Sequence, residues 1–171
     1  MRATILFGPP PATLRVLLDD REERDFPSVT HIVGGLTPAQ ALTVPRGLPY
    51  SIAQVVAHML GNMRFNLGLI QTPDPAHYEH RGETWPVVSA DDWPALADEF
   101  LEALEALKQV ALAGDLDRVL YPMTADEPAW TVGYKLACSV AKHNAYHLGQ
   151  IVVLRRLIGA WDGPAGRREG R

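Results

Sequence analysis

The sequence predicts an all-α fold, and three observations support this prediction. Apolar residues recur at intervals of three and four along several long segments, which is the spacing of a helix with one buried face. No segment sustains the alternation of apolar and polar residues that is typical of a half-buried strand. Most of the fourteen prolines and fourteen glycines fall between the periodic segments, where loops are expected. Together these features indicate a helical bundle.

The first third of the chain is compatible with helices but only weakly patterned. Residues 12–24 can form one helix, and residues 28–36 can form a shorter one. The first strongly periodic helix spans residues 51–70, and Ser51 is a plausible N-cap for it. Apolar groups lie on two sides of this helix, so we expect it to contact two neighbouring elements. Its main apolar face comprises Ile52, Val56, Met59, Leu60, Met63, Leu67 and Ile70.

A long irregular connection and two further helices complete the predicted fold. Residues 72–86 hold three prolines and lack periodicity, so we expect a loop there. Ser89 and Asp92 form a capping-box-like start for a helix that runs from Trp93 to near Gly114. The last and longest predicted helix covers residues 131–159.

The helices are expected to form a single domain. Residues 1–162 make up the predicted domain, and residues 163–171, which are rich in glycine and arginine, are expected to be a disordered tail. A chain of 171 residues is long enough to bury a stable core without disulfides or metal.

Composition and motifs exclude several classes of protein. Sixteen basic against twenty acidic residues give a net charge of -4, which argues against binding to nucleic acid. The single cysteine, Cys138, excludes an internal disulfide and favours a cytoplasmic location. We expect Cys138 to be a small buried residue rather than a nucleophile. No apolar run is long enough for a signal peptide or a membrane span. Motifs typical of phosphate loops, serine hydrolases and His-Glu-x-x-His proteases are absent from the sequence.

Two histidines lie on the apolar stripe of the last predicted helix. His143 and His147 are separated by one helical turn, so their side chains can converge on one transition-metal ion. The alternative is that both are ordinary buried histidines held by hydrogen bonds. The spacing leaves both interpretations open.

A third metal ligand would have to come from another segment, and His58 is the main candidate. It lies in the middle of the helix at 51–70, away from the main apolar face and on the side of Asn62 and Phe65. Periodicity permits a triad of these histidines but does not require it. Three imidazoles would leave a coordination position open, as in catalytic metal sites, and zinc is the default ion. His77 and His80 lie in the irregular loop, and we expect them to be exposed.

Residues 143–150, His-Asn-Ala-Tyr-His-Leu-Gly-Gln, resemble the closing helix of the DinB/YfiT-like superfamily. The signature of that helix is His-x-x-x-His-x-Gly-Gln. Upstream, residues 36–42 and 51–58 resemble the family's entry into its second helix, which ends on a ligand histidine. The resemblance covers about residues 12–161.

The resemblance implies a four-helix bundle with a long connection between helices, commonly a homodimer. It also implies a divalent metal ion held by three histidines that correspond to His58, His143 and His147, and we expect this ion to be zinc or nickel. Members with known activity are metal-dependent transferases or isomerases that use a low-molecular-weight thiol such as bacillithiol, mycothiol or glutathione. Gly149 is expected to allow close packing of another helix. Gln150 is expected to make either a structural hydrogen bond or a contact with a ligand histidine.

Three hypotheses about function follow. The leading one is a metal-dependent thiol S-transferase that adds a small thiol to an electrophilic small molecule, with Asn62, Arg64, Tyr78, Trp85 and Tyr146 as candidate pocket residues. The second is a non-enzymatic metal-binding bundle of the stress response, in which His77, His80 or Glu79 closes the fourth position. The third is a bundle without metal, in which hydrogen bonds pair the buried histidines.

Overall fold

The computed structural model describes residues 4–18, 26–79, 82–124, 126 and 128–161. The predicted tail and the histidine at position 80 lie outside these residues. The end of the first predicted helix, beyond residue 18, lies outside them as well.

The chain is mainly helical, as predicted, and a small sheet accompanies the helices. The elements in chain order are β1 (Ile5–Leu6), α1 (Pro11–Leu17), α2 (Val29–Val33), α3 (Pro38–Leu42), α4 (Ile52–Gln71), a short 3-10 helix (Pro75–His77), α5 (Trp93–Ala113), β2 (Val119–Tyr121), β3 (Ala129–Thr131), α6 (Val132–Lys135), a π-helical segment (Leu136–Ala141) and α7 (Lys142–Leu157).

The sheet was not predicted, because its strands are too short to show a period of two residues. Strand β3 lies in the centre, parallel to β1 and antiparallel to β2. Next to β1, a Cβ atom at Gly8 would lie only 2.0 Å from the backbone of Gly133, so only glycine permits this approach. The sheet thereby ties the start of the chain to the start of the last helix.

Helix α4 begins as the sequence predicts. The Ser51 hydroxyl accepts a hydrogen bond from the Gln54 backbone N–H at 3.3 Å, and the Gln54 side chain accepts one from the Ser51 N–H at 3.1 Å. This capping box satisfies two N–H groups that a helix start leaves without partners. As predicted, α4 contacts more than one neighbour: it packs against α5 and the last helix, and it also contacts the short helix α3.

Two further helix starts carry reciprocal hydrogen bonds. Thr37 and Gln40 form a second capping box, on the short helix α3. Before α5, the predicted capping-box-like pattern is confirmed: the Asp92 N–H donates to the Ser89 hydroxyl at 3.3 Å, and the Ser89 N–H donates to the Asp92 carboxylate at 3.3 Å. Helix α5 itself runs from Trp93 to Ala113, as expected.

The last helix runs from Val132 to Leu157 and contains one π-helical segment. In this segment the Lys142 N–H donates to the carbonyl of Ala137, five residues earlier. Single π turns of this kind occur often at functional sites. The prediction that Cys138 is buried is wrong: its side chain is exposed, between the buried Leu136 and Val140.

The core lies between α1, α4, α5 and the last helix. Its largest fully buried side chains include Leu14, Met59, Met63, Phe100 and Ile151. Helix α1 contacts α5 and the π segment. Within the described ranges, no helix combines the length and apolarity that crossing a membrane requires.

Arg155 connects α7 to α2 through the interior. It is only 6% exposed, and its guanidinium donates to the carbonyls of His31, Ile32, Gly34 and Ala160 at 2.8–2.9 Å. Burial of a charged group is compatible with stability when its donors are satisfied in this way.

Candidate metal centre

Three histidines from two helices converge at the interface of α4 and α7. One ring nitrogen from each of His58, His143 and His147 lies within 4.8 Å of the others. The Nε2 atoms of His58 and His143 are 3.1 Å apart, and the ring centroids of His143 and His147 are 4.4 Å apart. His147 is 6% exposed, and the other two side chains are half-buried. We refer to these three residues as the histidine triad.

The loop between α4 and α5 holds His58 from two directions. The Thr84 carbonyl accepts a hydrogen bond from His58 Nδ1 at 2.8 Å. The indole of Trp85 stacks on the His58 ring, with centroids 4.1 Å apart and an interplanar angle of 4°, and Tyr50 stacks on Trp85 in turn. Because a carbonyl can only accept, Nδ1 carries the proton and Nε2 presents its lone pair to the triad.

His147 is oriented in the same way from within its own helix. Its Nδ1 donates to the Gln150 side-chain oxygen at 2.7 Å, and the Gln150 amide donates to the Tyr50 hydroxyl at 3.2 Å. Gln150 therefore contacts a triad histidine directly. The sequence left open whether Gln150 makes a structural hydrogen bond or a contact with a ligand histidine. The structure shows the contact, which fixes the orientation of the His147 ring.

Asn62 lies one helical turn after His58 and contacts the third histidine. Its side-chain amide donates to the Ser139 carbonyl at 2.7 Å and lies 3.2 Å from His143 Nδ1. The Asn66 amide donates to the Asn62 side-chain oxygen at 3.1 Å and to the Asn62 backbone oxygen at 2.8 Å. This chain of hydrogen bonds defines which end of the Asn62 amide faces His143.

Burial keeps His143 and His147 uncharged near neutral pH. It lowers the pKa of His143 from 6.5 to about 4, and the neighbouring His147 and His58 lower it further. Burial also lowers the pKa of His147, which the bond to Gln150 partly opposes. Neutral imidazole is the form that binds a metal ion, so the electrostatics suit coordination.

The triad could hold a metal ion through three nitrogen ligands. His58 and His147 fit this role, since each has its Nδ1 proton engaged and its Nε2 free of that proton. No fourth histidine, cysteine or carboxylate joins the cluster among the described residues, which omit position 80. His77 is exposed, as predicted, and pairs with Asp74 at 2.9 Å. Three ligands without a fourth leave coordination positions for a small molecule.

The five candidate pocket residues divide into two groups. Asn62, Trp85 and Tyr146 lie at the triad, and the Tyr146 ring meets His147 edge-on at 5.0 Å. Arg64 instead pairs with Glu99 at 2.8 Å, and Tyr78 packs against Phe65.

Sequence reasoning missed two residues of the site and misjudged a third. Tyr50 and Thr84 act through a stacked ring and a backbone carbonyl, for which no local pattern exists. Gly149 does not allow another helix to pack closely, because it is exposed and a Cβ atom there would meet no neighbour within 4 Å. The Gln150 contact had a visible signal, since a residue three positions after a helical histidine lies on the same face.

Fold and site together define a mainly helical protein with a three-histidine cluster that could hold a metal ion. The chain belongs to the DinB superfamily, whose family model matches residues 23–151. The matched region contains all three triad histidines. No curated protein and no solved structure matches the chain.

Proposed function

We propose that this protein is a metal-dependent thiol S-transferase whose ion, zinc or nickel, is held by His58, His143 and His147. Convergence of three imidazole nitrogens within 4.8 Å, with no fourth protein ligand among the described residues, is the observation that supports the proposal. Catalytic metal sites have three protein ligands and an open position, whereas structural sites are closed.

His58, His143 and His147 would hold the ion, which would supply Lewis-acid chemistry by lowering the pKa of a bound thiol toward neutral. The chain's own residues supply orientation. Thr84 and Gln150 fix two of the rings, and Trp85 and Tyr146 place aromatic surface beside them. The reaction forms a carbon–sulfur bond as the electrophile's carbon–oxygen or carbon–halogen bond breaks, and the thiol proton passes to solvent. The halide leaves as an anion, whereas the alkoxide of an opened epoxide takes a proton from solvent.

The first test is metal content and melting temperature of the wild type, His58→Ala and His147→Ala, with and without added zinc or nickel. We expect about one ion per chain in the wild type and none in either variant. His77→Ala is the matched control, because His77 is exposed and lies outside the triad. Equal metal content in the wild type and both triad variants would refute the site.

The second test is activity. Metal-loaded protein is incubated with an epoxide or alkyl halide and with bacillithiol, mycothiol or glutathione, and thiol consumption is followed. We expect turnover with at least one thiol and none with His147→Ala. Failure with all three thiols, for a protein that holds its ion, would favour the non-enzymatic metal-binding alternative.

Cobalt substitution distinguishes an open site from a closed one. If a coordination position is open, adding a thiol to the cobalt-loaded protein produces a sulfur-to-cobalt charge-transfer band. A closed site, as the non-enzymatic alternative requires, gives no new band.

One observation favours the alternative without metal. The 3.1 Å contact between His58 and His143 is short enough for a direct hydrogen bond, which would pair two of the three rings. Metal content of the purified wild type, measured in the first test, decides between this pairing and a bound ion.

The small-molecule substrate and the homodimer implied by the family resemblance are part of the same proposal. Sedimentation velocity measures the oligomeric state directly. We expect a single species of twice the chain's 18.8 kDa mass.

A further inference from the structure

The hydrogen bonds around His143 differ from those around the other two triad histidines. Thr84 and Gln150 each place an oxygen, an acceptor, against Nδ1 of His58 and His147. Asn62 places its amide nitrogen, a donor, 3.2 Å from Nδ1 of His143.

The orientation of the Asn62 amide is fixed by its other neighbours. Its nitrogen lies 2.7 Å from the Ser139 carbonyl, which can only accept. Its oxygen lies 3.1 Å from the Asn66 amide nitrogen, a donor. Reversing the amide would set oxygen against oxygen at Ser139 and nitrogen against nitrogen at Asn66.

This orientation determines the tautomer of His143. A donor at Nδ1 requires a lone pair there, so the proton of the neutral ring lies on Nε2. That proton points to the Nε2 lone pair of His58, and the two Nε2 atoms are 3.1 Å apart. The result is a chain of hydrogen bonds from Asn62 to His143 to His58. Coordination through Nε2 requires the opposite tautomer, with the proton on Nδ1.

We propose that Asn62 is a positioning residue that holds His143 in the tautomer unable to bind metal, so that capture of an ion requires the Asn62–His143 contact to break. The inference rests on the proposed metal site, but its first test needs no metal. Ligand histidines usually donate Nδ1–H to an acceptor, and this acceptor is what Asn62 withholds from His143.

The first experiment determines histidine tautomers in the full chain. Long-range ¹H–¹⁵N correlation spectra of the metal-free, ¹⁵N-labelled protein distinguish protonation at Nδ1 from protonation at Nε2. We expect Nε2–H for His143 and Nδ1–H for His58 and His147. In Asn62→Asp, whose carboxylate accepts from Nδ1–H, we expect His143 to become Nδ1–H. Nδ1–H at His143 in the wild type would overturn the proposal.

The second experiment measures zinc affinity by competition with a chelator. Asn62→Asp is expected to bind zinc at least about tenfold more tightly than the wild type. The neutral, similarly sized Asn62→Leu removes the opposing donor without adding charge, and we expect its affinity to equal or exceed that of the wild type. A loss of about 10–100-fold in Asn62→Leu, the usual result of removing a supporting residue, would overturn the proposal.

Two controls make these outcomes unambiguous. Ala145→Asp adds the same charge on an exposed position two residues after His143, which separates a general effect of charge from the hydrogen bond. Circular dichroism verifies that each variant is folded. If the wild type binds no zinc, the proposed function fails, but the tautomer measurement still decides the role of Asn62.

Discussion

At the scale of single residues, the readiness of the triad to bind metal depends on the atoms that contact each imidazole as well as on the histidines themselves. Thr84 and Gln150 prepare two rings for coordination, whereas Asn62 opposes it at the third. The site therefore combines preorganised ligands with one that must change its hydrogen bond. Such contacts commonly change metal affinity by about 10–100-fold.

Gln150 offers a direct test at this scale. Gln150→Leu removes the acceptor of His147 Nδ1–H, so we expect zinc affinity to fall by about 10–100-fold. Gln150→Glu retains an acceptor and should keep most of the affinity. Gln109→Leu is the control, because the exposed Gln109 side chain bonds to Glu105 on α5, outside the triad. Equal affinities for all three variants in a chelator competition would show that Gln150 does not orient the ring.

The lowered histidine pKa values predict how the metal-free protein responds to acid. Because the folded state has a pKa of about 4 at His143 against 6.5 for a free side chain, the unfolded state binds more protons between these values. Stability is therefore full above about pH 6.5 and falls as the pH drops toward 4. We expect the melting temperature of the chelator-treated wild type to fall more than that of His143→Gln over this pH range. The same loss in both proteins would contradict the prediction.

At the scale of elements, the spacing of His143 and His147 was enough to predict that they share one face of a helix. The position of His58 relative to them was not predictable, because it depends on how α4 packs against the last helix. The π segment also left no signal, since Leu136 and Val140 fit an uninterrupted α-helical stripe equally well. Thr84 acts through its backbone, which no side-chain pattern reveals.

The π segment predicts a specific effect of deleting one residue. A π turn accommodates one extra residue, so removing the exposed Cys138 lets the segment close as a regular α-helix while the residues on either side keep their relative orientation. We expect far-UV circular dichroism to remain helical and zinc binding to be retained. Cys138→Ala keeps the residue count and should bind zinc as the wild type does. Loss of zinc binding in the deletion variant alone would show that the triad depends on the π turn itself.

At the scale of the whole molecule, the mainly helical fold followed from periodicity and from the placement of proline and glycine. The sheet did not, because strands of two or three residues depend on contacts such as that of Gly8 with Gly133. The connection of α7 to α2 through Arg155 was equally unpredictable from the sequence. An arginine in the last turn of a helix is ordinarily a solvated residue, and only tertiary structure buries Arg155.

Arg155 should therefore contribute strongly to stability. Arg155→Met leaves several backbone carbonyls without this donor, and each buried carbonyl that stays unpaired costs about 1–3 kcal/mol. We expect the free energy of unfolding, measured in urea, to fall by at least about 2 kcal/mol. The neighbouring Arg156 is exposed, so Arg156→Met should change it by less than about 0.5 kcal/mol. Similar losses in the two variants would argue against the buried network.

The helices supply the triad histidines and a loop supplies the surface beside them, and this arrangement has a consequence for evolution. All three triad histidines are carried by α4 and α7, whereas the surface beside them comes from the segment around Trp85. Loops tolerate substitution and insertion more readily than the helices that they join. Mutations in this loop can thus diversify which molecules reach the triad, while the scaffold that carries the histidines is inherited unchanged.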